Sequence, residues 1–331
     1  MATPANTVIE STRVNREESV QNTIRDISPL DTPMLTMAKE IKLTARYNEF
    51  LTDSLATPDA NNAHLDGDDD GIEASPAVTR LANRTQIVKK TAAVSGTTEA
   101  VNLYGTKSEL AFQMAKKSKE LKRDMETIMM GKQASTAGSA SVAAKLGSLQ
   151  GYMSATIGNI VYSGAKGSAT TPGWSAGNTG AIVDPSATAA LDETKFKSLV
   201  KTCYDNGAEN ADVFMVGSFN RQRASSQFQG IADLYRETNT RPTASVLGTA
   251  SVYISDFSGP AGIKIVSNRF QSSDVGLLID MDMVQVGFLR PYTSYELAKT
   301  GDSTARSIVA EFSILPISPE AHGKIVGLTV A

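Results

Sequence analysis

The chain has 331 residues, of which 41% are hydrophobic and 20% charged, and its formal net charge is −3. That length can bury a full core and predicts more than one lobe, and the small negative charge excludes a global basic field that would attract nucleic acid. A single cysteine excludes an intrachain disulfide framework. Apolar runs are too short for a membrane span, and the start MATPANTVIE lacks signal-peptide features, so we expect synthesis in a reducing cytoplasm.

The first part of the chain, residues 1–45, is interpreted as an N-terminal arm. It is polar at first and then predicts a short helix over 15–27, where apolar residues recur on one face. The two prolines of SPLDTP (28–33) end this helix, because proline cannot continue the hydrogen-bond ladder.

Residues 46–92 predict a long β-hairpin. Its arms, RYNEFLTDSL and AVTRLANRTQIVKK, have strand character, but neither face is apolar enough to form a core. A two-stranded arm is marginal alone in water, so we expect it to rest on another subunit. Arg80 and Arg84 lie on one face of the return arm, and ion pairs with acidic groups of a neighbour are favoured over a phosphate site.

The hairpin tip, NNAHLDGDDDG (61–71), places carboxylates at the spacing of a calcium loop. Asp66, Asp68 and Asp70 would be positions 1, 3 and 5. The twelfth position is Ala77 where such a loop needs a glutamate, and no helices flank it. We favour a solvated acidic tip, with weak Ca²⁺ or Mg²⁺ binding at a subunit contact as the alternative. The candidate subunit-contact residues are Asp66, Asp68, Asp69, Asp70, Arg80 and Arg84.

A long amphipathic helix, the spine helix, is predicted over 106–130. Thr106 and Glu109 form a capping-box pattern at its start, and Gly131 stands where a left-handed C-cap residue would lie. Charged residues, including Glu126, are predicted on the solvent side. The apolar stripe comprises Leu110, Met114, Leu121, Met125 and Ile128.

The middle of the chain predicts a second lobe of mixed α and β structure. A helix over 192–206 places Cys203 on its apolar face, so Cys203 is a core residue rather than a nucleophile. A short buried strand (211–217) and another helix (218–228) follow.

From about residue 245 the chain predicts β structure. The apolar positions change phase within 275–289, which marks a turn near Asp280–Asp282. The predicted strands are 263–270, the two parts of 275–289, YTSYELAK and ARSIVAEFSI on either side of the turn TGDS (300–303), and a short one within 322–328.

Catalytic and metal-binding patterns are missing from the sequence. There is no P-loop, G-x-S-x-G or H-E-x-x-H string. The two histidines, His64 and His322, lie in different regions and are both expected at the surface, so no metal cluster of usual spacing forms. We predict no enzyme and no cofactor; the alternative, a hydrolase of mixed α/β fold, lacks a nucleophile–base pair.

Five motifs together resemble one protein family: SPLDTP (28–33), NRTQI (83–87), VSGTTEAVNLYG (94–105), ELAKTGDS (296–303) and EAHGKIVGL (320–328). In this order, around a hairpin and a spine helix, they resemble the tailed-bacteriophage major capsid proteins of the Hong Kong 97 fold. More narrowly, they resemble the capsid family of certain short-tailed phages.

The resemblance implies an α+β capsid fold and a structural function. The chain would self-assemble into hexamers and pentamers of an icosahedral head that encloses double-stranded DNA, without sequence specificity on its inner face. Separate scaffold, portal and cement or decoration proteins would be partners, with assembly in the bacterial cytoplasm and no membrane. The implied parts are the arm (1–45), the extended loop (46–92), a peripheral domain (93–148), an axial domain (149–260) and peripheral return strands (261–331).

Two further expectations accompany the resemblance. The alternative within the same fold is an encapsulin-type shell of a bacterial compartment, against which the long arm and hairpin argue. Some capsids of this fold join a lysine of the extended loop to an asparagine of the next subunit. The stretch 47–88 contains no lysine, so we predict a shell without such cross-links.

Overall fold

The computed structural model describes residues 31–53, 55–64, 66–67, 71, 78–101, 106–153, 161–163, 189–205, 211–228, 252–257 and 262–330. The helix predicted over 15–27 lies outside these residues. Among the described helices, none combines the length and apolar character that a membrane span needs.

The described residues form five α-helices and twelve strands. The helices are α1 (Pro33–Met37), α2 (Gly96–Ala100), α3 (Glu109–Met130), α4 (Glu193–Asp205) and α5 (Ser218–Gln227). The strands are β1 (Lys39–Lys42), β2 (Tyr47–Thr52), β3 (Thr79–Arg84), β4 (Gln86–Ser95), β5 (Val161–Ser163), β6 (Val213–Val216), β7 (Val252–Tyr253), β8 (Ile263–Ser267), β9 (Gly276–Ile279), β10 (Val284–Glu296), β11 (Ser303–Pro316) and β12 (Gly323–Ile325).

The first sheet has four strands in the order β1-β10-β11-β4. β10 and β11 form an antiparallel pair with two register shifts near Arg290, β4 adds antiparallel to β11, and β1 adds parallel to β10. One face of β11, formed by Ala310, Phe312 and Ile314, is buried in the same core as the spine helix α3. The long helix thus covers one side of this sheet.

The second sheet has six strands in the order β5-β12-β9-β6-β8-β7, in which β6 and β8 pair in parallel. Its central strands are buried on both faces. In β6, Val213 and Met215 contribute to the core shared with α3, whereas Phe214 and Val216 contribute to a second core with α4 and α5. This alternation follows from the period of two in a strand, and it explains why ADVFMVG is apolar at nearly every position.

The sequence-based elements of this region are confirmed. α4, β6 and α5 match the predicted helix, strand and helix, and Cys203 is buried. The turn predicted near Asp280–Asp282 is a 3₁₀ turn over Met281–Met283, between β9 and β10. Asp280 caps it by accepting a hydrogen bond from the Asp282 amide.

The strands within 261–331, which the sequence analysis grouped as return strands of one domain, divide between the two sheets. Of these strands, β10 and β11 belong to the first sheet, whereas β8, β9 and β12 pair within the second. The chain therefore crosses between the sheets twice after residue 261. Alternation along a strand reveals which faces are buried but not which strand lies alongside, so sequence pattern could not detect these crossings.

The N-terminal end of the spine helix differs from the capping-box prediction. α3 begins at Glu109, and its N-cap is Ser108, whose hydroxyl accepts a hydrogen bond from the Ala111 amide. Glu99 of α2 contributes as well, because its carboxylate accepts from the Ser108 hydroxyl and the Leu110 amide. The carboxylate that caps the start of α3 therefore comes from Glu99 of the neighbouring helix α2, and not from Glu109 as the capping-box pattern predicted.

At the other end, Gly131 does not adopt the predicted left-handed conformation, since its φ is −78°. The glycine is required by close approach: an added Cβ would lie 2.7 Å from the carbonyl oxygen of Thr127. The chain consequently leaves the helix in an extended conformation.

Candidate assembly surfaces

The predicted hairpin is present, but it is shorter than 46–92. β2 and β3 pair antiparallel from Tyr47 opposite Arg84 to Thr52 opposite Thr79. β4, which the sequence placed on the same return arm, instead belongs to the first sheet. The described residues 55–64 beyond the paired arms are all exposed. The hairpin thus projects a solvent-exposed tip from a fixed root.

Asn83 fixes the root of the hairpin. This fully buried side chain donates to the carbonyl oxygens of Gly147 (3.0 Å) and Ile314 (2.7 Å). Its Oδ1 accepts from the backbone amides of Gly147 and Arg84, both at 2.8 Å. These four hydrogen bonds use both N–H donors and both oxygen lone pairs of the asparagine amide. They tie β3 to the loop after α3 and to β11.

Apolar packing supports the same root. Leu81 and Tyr152 are buried together with Phe50 packed against them, and the Tyr152 hydroxyl donates to the Ala82 carbonyl at 2.9 Å. The expectation that the hairpin has no core face is therefore wrong at Phe50 and Leu81. The sequence pattern could not reveal this core, because the apolar partner, Tyr152, lies far along the chain.

A buried carboxylate lies where the hairpin joins the first sheet. Glu311 of β11 accepts from the Thr85 hydroxyl at 2.7 Å and from the Arg290 Nε at 2.8 Å. The Arg46 Nε lies 3.8 Å from the same carboxylate. The two arginines offset the burial of the Glu311 charge. Through Arg46 and Thr85, which lie at the two ends of the hairpin, this carboxylate joins both arms to β11, and through Arg290 to β10.

The predicted contact residues on the hairpin take part in contacts within the arm. Arg80 lies 3.5 Å from the Glu49 carboxylate across the strand pair. The Arg84 guanidinium stacks over the Tyr47 ring at 4.9 Å. Asp66 is exposed, whereas Asp68, Asp69 and Asp70 lie outside the described residues. The candidate metal set of Asp66, Asp68 and Asp70 and the proposed contacts with a neighbour therefore stay predictions.

The apolar stripe of α3 lies on its sheet-facing side. Leu121 and Met125 are fully buried, Met114 and Ile128 pack against the core at its margin, and Leu110 is half-buried. Met129 and Met130, which the predicted stripe does not include, are also fully buried. Met129 follows Met125 by four residues, so the helical period could have included it.

Glu126 was predicted on the solvent side of α3 and is instead fully buried. Its carboxylate accepts from the amides of Met34 and Leu35, both at 2.9 Å, and from the Asn268 side chain at 2.6 Å. These two amides belong to the first turn of α1, whose own Thr32 provides no side-chain cap. Glu126 thus caps α1 from another helix. Burial raises the pKa of the Glu126 carboxyl, and the three hydrogen bonds oppose that shift.

Three more carboxylates meet at the edge of the second lobe. Asp212, Asp280 and Asp282 have oxygens within 4.8 Å of one another. Burial, with added repulsion inside the cluster, raises the pKa of Asp212 and of Asp280. Asp280 and Asp282 were predicted only as turn residues. Asp212 is distant from them in sequence and comes close only through the β6–β9 pairing, so sequence pattern does not reveal the cluster.

His322, expected at the surface, is fully buried beside this cluster. Its Nδ1 accepts from the Asp280 amide at 3.2 Å. Burial lowers the pKa of His322 to about 4, partly opposed by the Met283 backbone. The preceding 3₁₀ turn over Pro319–Ala321 directs the imidazole inward, which sequence pattern does not reveal for a lone histidine.

Solved structures similar to this chain are phage capsids. The capsid asymmetric unit of cyanophage A-1(L) matches with a TM-score of 0.68 at 12% identity, covering 97% of this chain and all of that one. The structure of Phage G major capsid and decoration proteins matches with a TM-score of 0.53 at 8% identity, covering 98% of this chain and 99% of that one. The fold is therefore the Hong Kong 97-type fold of phage capsid proteins.

The family model described as SU10 major capsid protein matches residues 2–329, so the chain belongs to that family of phage major capsid proteins. It is also similar to the major capsid protein of Escherichia phage Phieco32, with 29% identity over 334 residues and 92% of each chain covered. The family is structural and is not a family of enzymes. The encapsulin-type alternative gains no support from these likenesses.

Proposed function

We propose that this capsid subunit builds an icosahedral head of hexamers and pentamers, in which the β2–β3 hairpin lies across the adjacent subunit. The observation that carries this proposal is the contrast within the hairpin. Its root is held by the Asn83 hydrogen bonds and the Leu81 packing. The described tip residues 55–64 are exposed.

The two lobes take different places in this proposal. The first sheet with α3 forms the peripheral domain, and the second sheet with α4 and α5 forms the axial domain, which packs around the capsomer axes. Residues 31–45 contribute to the peripheral domain, because Met34 and Leu35 are buried in the core shared with α3. The role of an arm then belongs to the residues before them.

The head would enclose double-stranded DNA without sequence specificity and would be assembled in the bacterial cytoplasm. A net charge of −3 suits a wall that does not grip DNA strongly. Separate scaffold and portal proteins would take part. A decoration protein is a further partner, because decoration proteins accompany the major capsid proteins in the Phage G structure.

The decisive experiment removes the hairpin tip and leaves its root. Residues 53–78 are replaced by Asn-Gly, a dipeptide that closes a two-residue hairpin turn between Thr52 and Thr79. We expect a folded subunit with wild-type thermal unfolding that forms no closed shells under the electron microscope. A control variant replaces 53–78 with a Gly/Ser sequence of the same length. It distinguishes the effect of shortening the hairpin from the effect of removing the tip side chains.

Two results would contradict the proposal. Closed shells from the Asn-Gly variant would show that the tip is dispensable for assembly. Unfolding or aggregation of the subunit would show that the tip belongs to the core.

A further inference from the structure

The outward face of α3 carries a group of cations. Lys116, Lys119 and Lys122 are exposed, and Arg123 is half-buried. Lys119 stands three residues from Lys116 and from Lys122 and four residues from Arg123, so the four side chains are neighbours on the helix surface. We call the four residues Lys116, Lys119, Lys122 and Arg123 the α3 cationic face.

The acids of the same helix that flank this face are bound to other groups. The Glu120 carboxylate lies 2.7 Å from the Lys117 Nζ, and the Asp124 carboxylate lies 2.6 Å from the Nζ of Lys90 in β4. Glu126 lies below the surface, where its carboxylate accepts hydrogen bonds from two amides of α1. These three carboxylates therefore do little to neutralise the cations of the face.

Two members of the face lie over aromatic rings. The Lys122 Nζ is 5.9 Å from the ring centre of Tyr292, and the Arg123 guanidinium is 5.3 Å from that of Phe270. A cation held over a ring keeps N–H groups that can donate to a second partner. Within the described part of the chain, neither Lys122 nor Lys116 has a carboxylate at ion-pair distance. The face thus offers cationic donors to a ligand.

The composition of the face favours a polyanion over a protein partner. Lysine is depleted at protein–protein interfaces, whose centres are apolar and aromatic, whereas lysine and arginine are common donors to phosphate oxygens. The face extends from Lys116 to Arg123, which is about 10 Å along the helix axis. One strand of B-DNA presents about three phosphates over that length. The number of cations therefore suits a single stretch of nucleic-acid backbone.

We propose that the α3 cationic face lies on the inside of the shell and contacts the phosphate backbone of the packaged double-stranded DNA. This inference rests on the proposed function, because it requires a shell that encloses DNA. Contacts to phosphates carry no sequence information, and salt screens each of them. The attraction is local, so it is compatible with a net charge of −3. Repeated over many subunits, weak contacts of this kind would hold the outermost DNA against the wall.

Duplex binding by the unassembled subunit tests the chemistry of the face. A short, labelled DNA duplex of mixed sequence is the probe, and fluorescence anisotropy measures its affinity. Three phosphate contacts would lower the affinity about 40-fold between about 50 and 200 mM salt. We expect the triple variant Lys116→Gln, Lys119→Gln, Lys122→Gln to lose most of this salt dependence, because three of the four cations are removed.

The matched control removes three exposed lysines elsewhere on the chain. Lys197→Gln, Lys264→Gln, Lys299→Gln alters residues of α4, of β8 and of the turn after β10. It changes the net charge by the same amount as the first triple variant. We expect it to retain the salt dependence of the wild-type subunit. Thermal unfolding of both variants is expected to match wild type, because exposed substitutions of this kind change stability little.

Amine labelling of closed shells without DNA tests the position of the face. A small acylating reagent is compared with the same reactive group on a polymer too large to cross the shell, and mass spectrometry identifies the modified lysines. We expect both reagents to modify Lys116 and Lys122 in unassembled subunits. In closed shells, we expect only the small reagent to modify them.

Four results would overturn the proposal. Modification of Lys116 by the polymer in closed shells would place the face outside, and protection from the small reagent would show that a neighbouring subunit covers it. Absent duplex binding, or equal losses in both triple variants, would exclude a specific role of the face. Tighter face-dependent binding of polyglutamate than of the duplex would assign it to an acidic protein. The duplex measurement needs no assembly, so its failure is distinguishable from failure of the proposed shell.

Discussion

At the scale of single residues, Asn83 is expected to set the direction of the hairpin. Asn83→Ala leaves the Gly147 amide and the carbonyls of Gly147 and Ile314 without their partner. Buried unpaired groups cost about 1–3 kcal/mol, and β3 loses its tie to the body. With spin labels on cysteines introduced at Ala60 and Lys116, we expect a broader distance distribution than in the parent protein.

The matched control is Asn220→Ala. Asn220 is also fully buried, and its amide donates to the Ser273 carbonyl at 2.8 Å, in the second lobe. This control is expected to lower thermal stability while leaving the label distances unchanged. Unchanged distances in Asn83→Ala would assign Asn83 to stability alone.

His322 is expected to make stability depend on pH. Its folded-state pKa of about 4 lies below the unfolded value of about 6.5, so the unfolded state binds more protons between these values. Its contribution is therefore complete above pH 6.5 and is lost as pH falls towards 4, by about 3 kcal/mol at most. Glu126, Asp212 and Asp280, whose pKa values are raised, act in the opposite direction.

A variant isolates this effect. His322→Asn keeps an acceptor for the Asp280 amide but cannot titrate. We expect urea unfolding of the unassembled wild-type subunit to show a steeper loss of stability between pH 6.5 and 4 than the variant shows. His64→Asn, at an exposed histidine of the hairpin, serves as the control. Parallel curves for wild type and His322→Asn would refute the assignment.

At the scale of elements, sequence pattern predicted local periodicity well and long-range pairing poorly. Helix α4 and strand β6 follow from spacings within one segment, and both are where the pattern placed them. Glu126 was misplaced because two partners, Met34 and Asn268, are 92 and 142 residues away. A buried carboxylate looks like a surface residue in a helix pattern until its distant donors are known.

The hairpin shows the same limit at its boundary. Continuous alternation through Val88 suggested one return arm, but the strand ends at Arg84, and Thr85 begins the passage into the first sheet. The Thr85 amide donates to the Arg46 carbonyl, which closes the hairpin root. Alternation alone cannot mark the residue at which a strand changes its partner.

At the scale of the whole molecule, the two lobes are joined by one continuous core. Residues of α1, α3, both long strands of the first sheet and one face of the second sheet bury side chains together. The Glu126 contacts to α1 and Asn268 cross the same junction. The shared core therefore places α3 as a spine between the two sheets.

The distribution of lysines along the chain predicts a shell without covalent cross-links through the hairpin. The stretch 47–88 contains no lysine. The nearest lysines, Lys42 and Lys89, lie in β1 and β4, which are strands of the first sheet. An amine held in that sheet is not carried by the hairpin to a neighbouring subunit. Contacts of the tip are then expected to be hydrogen bonds and ion pairs, which are individually weak and sensitive to salt.

A denaturing gel of boiled mature particles measures this directly. We expect a single band at the monomer mass of 35.1 kDa, and we expect the unboiled particles to lose subunits more readily at high ionic strength. The reversed arrangement, in which Asn61 or Asn62 of the hairpin meets a lysine elsewhere, would produce a ladder that survives denaturant and reductant. Such a ladder would refute the non-covalent shell, and Asn61→Asp with Asn62→Asp would then show whether the hairpin supplies the bond.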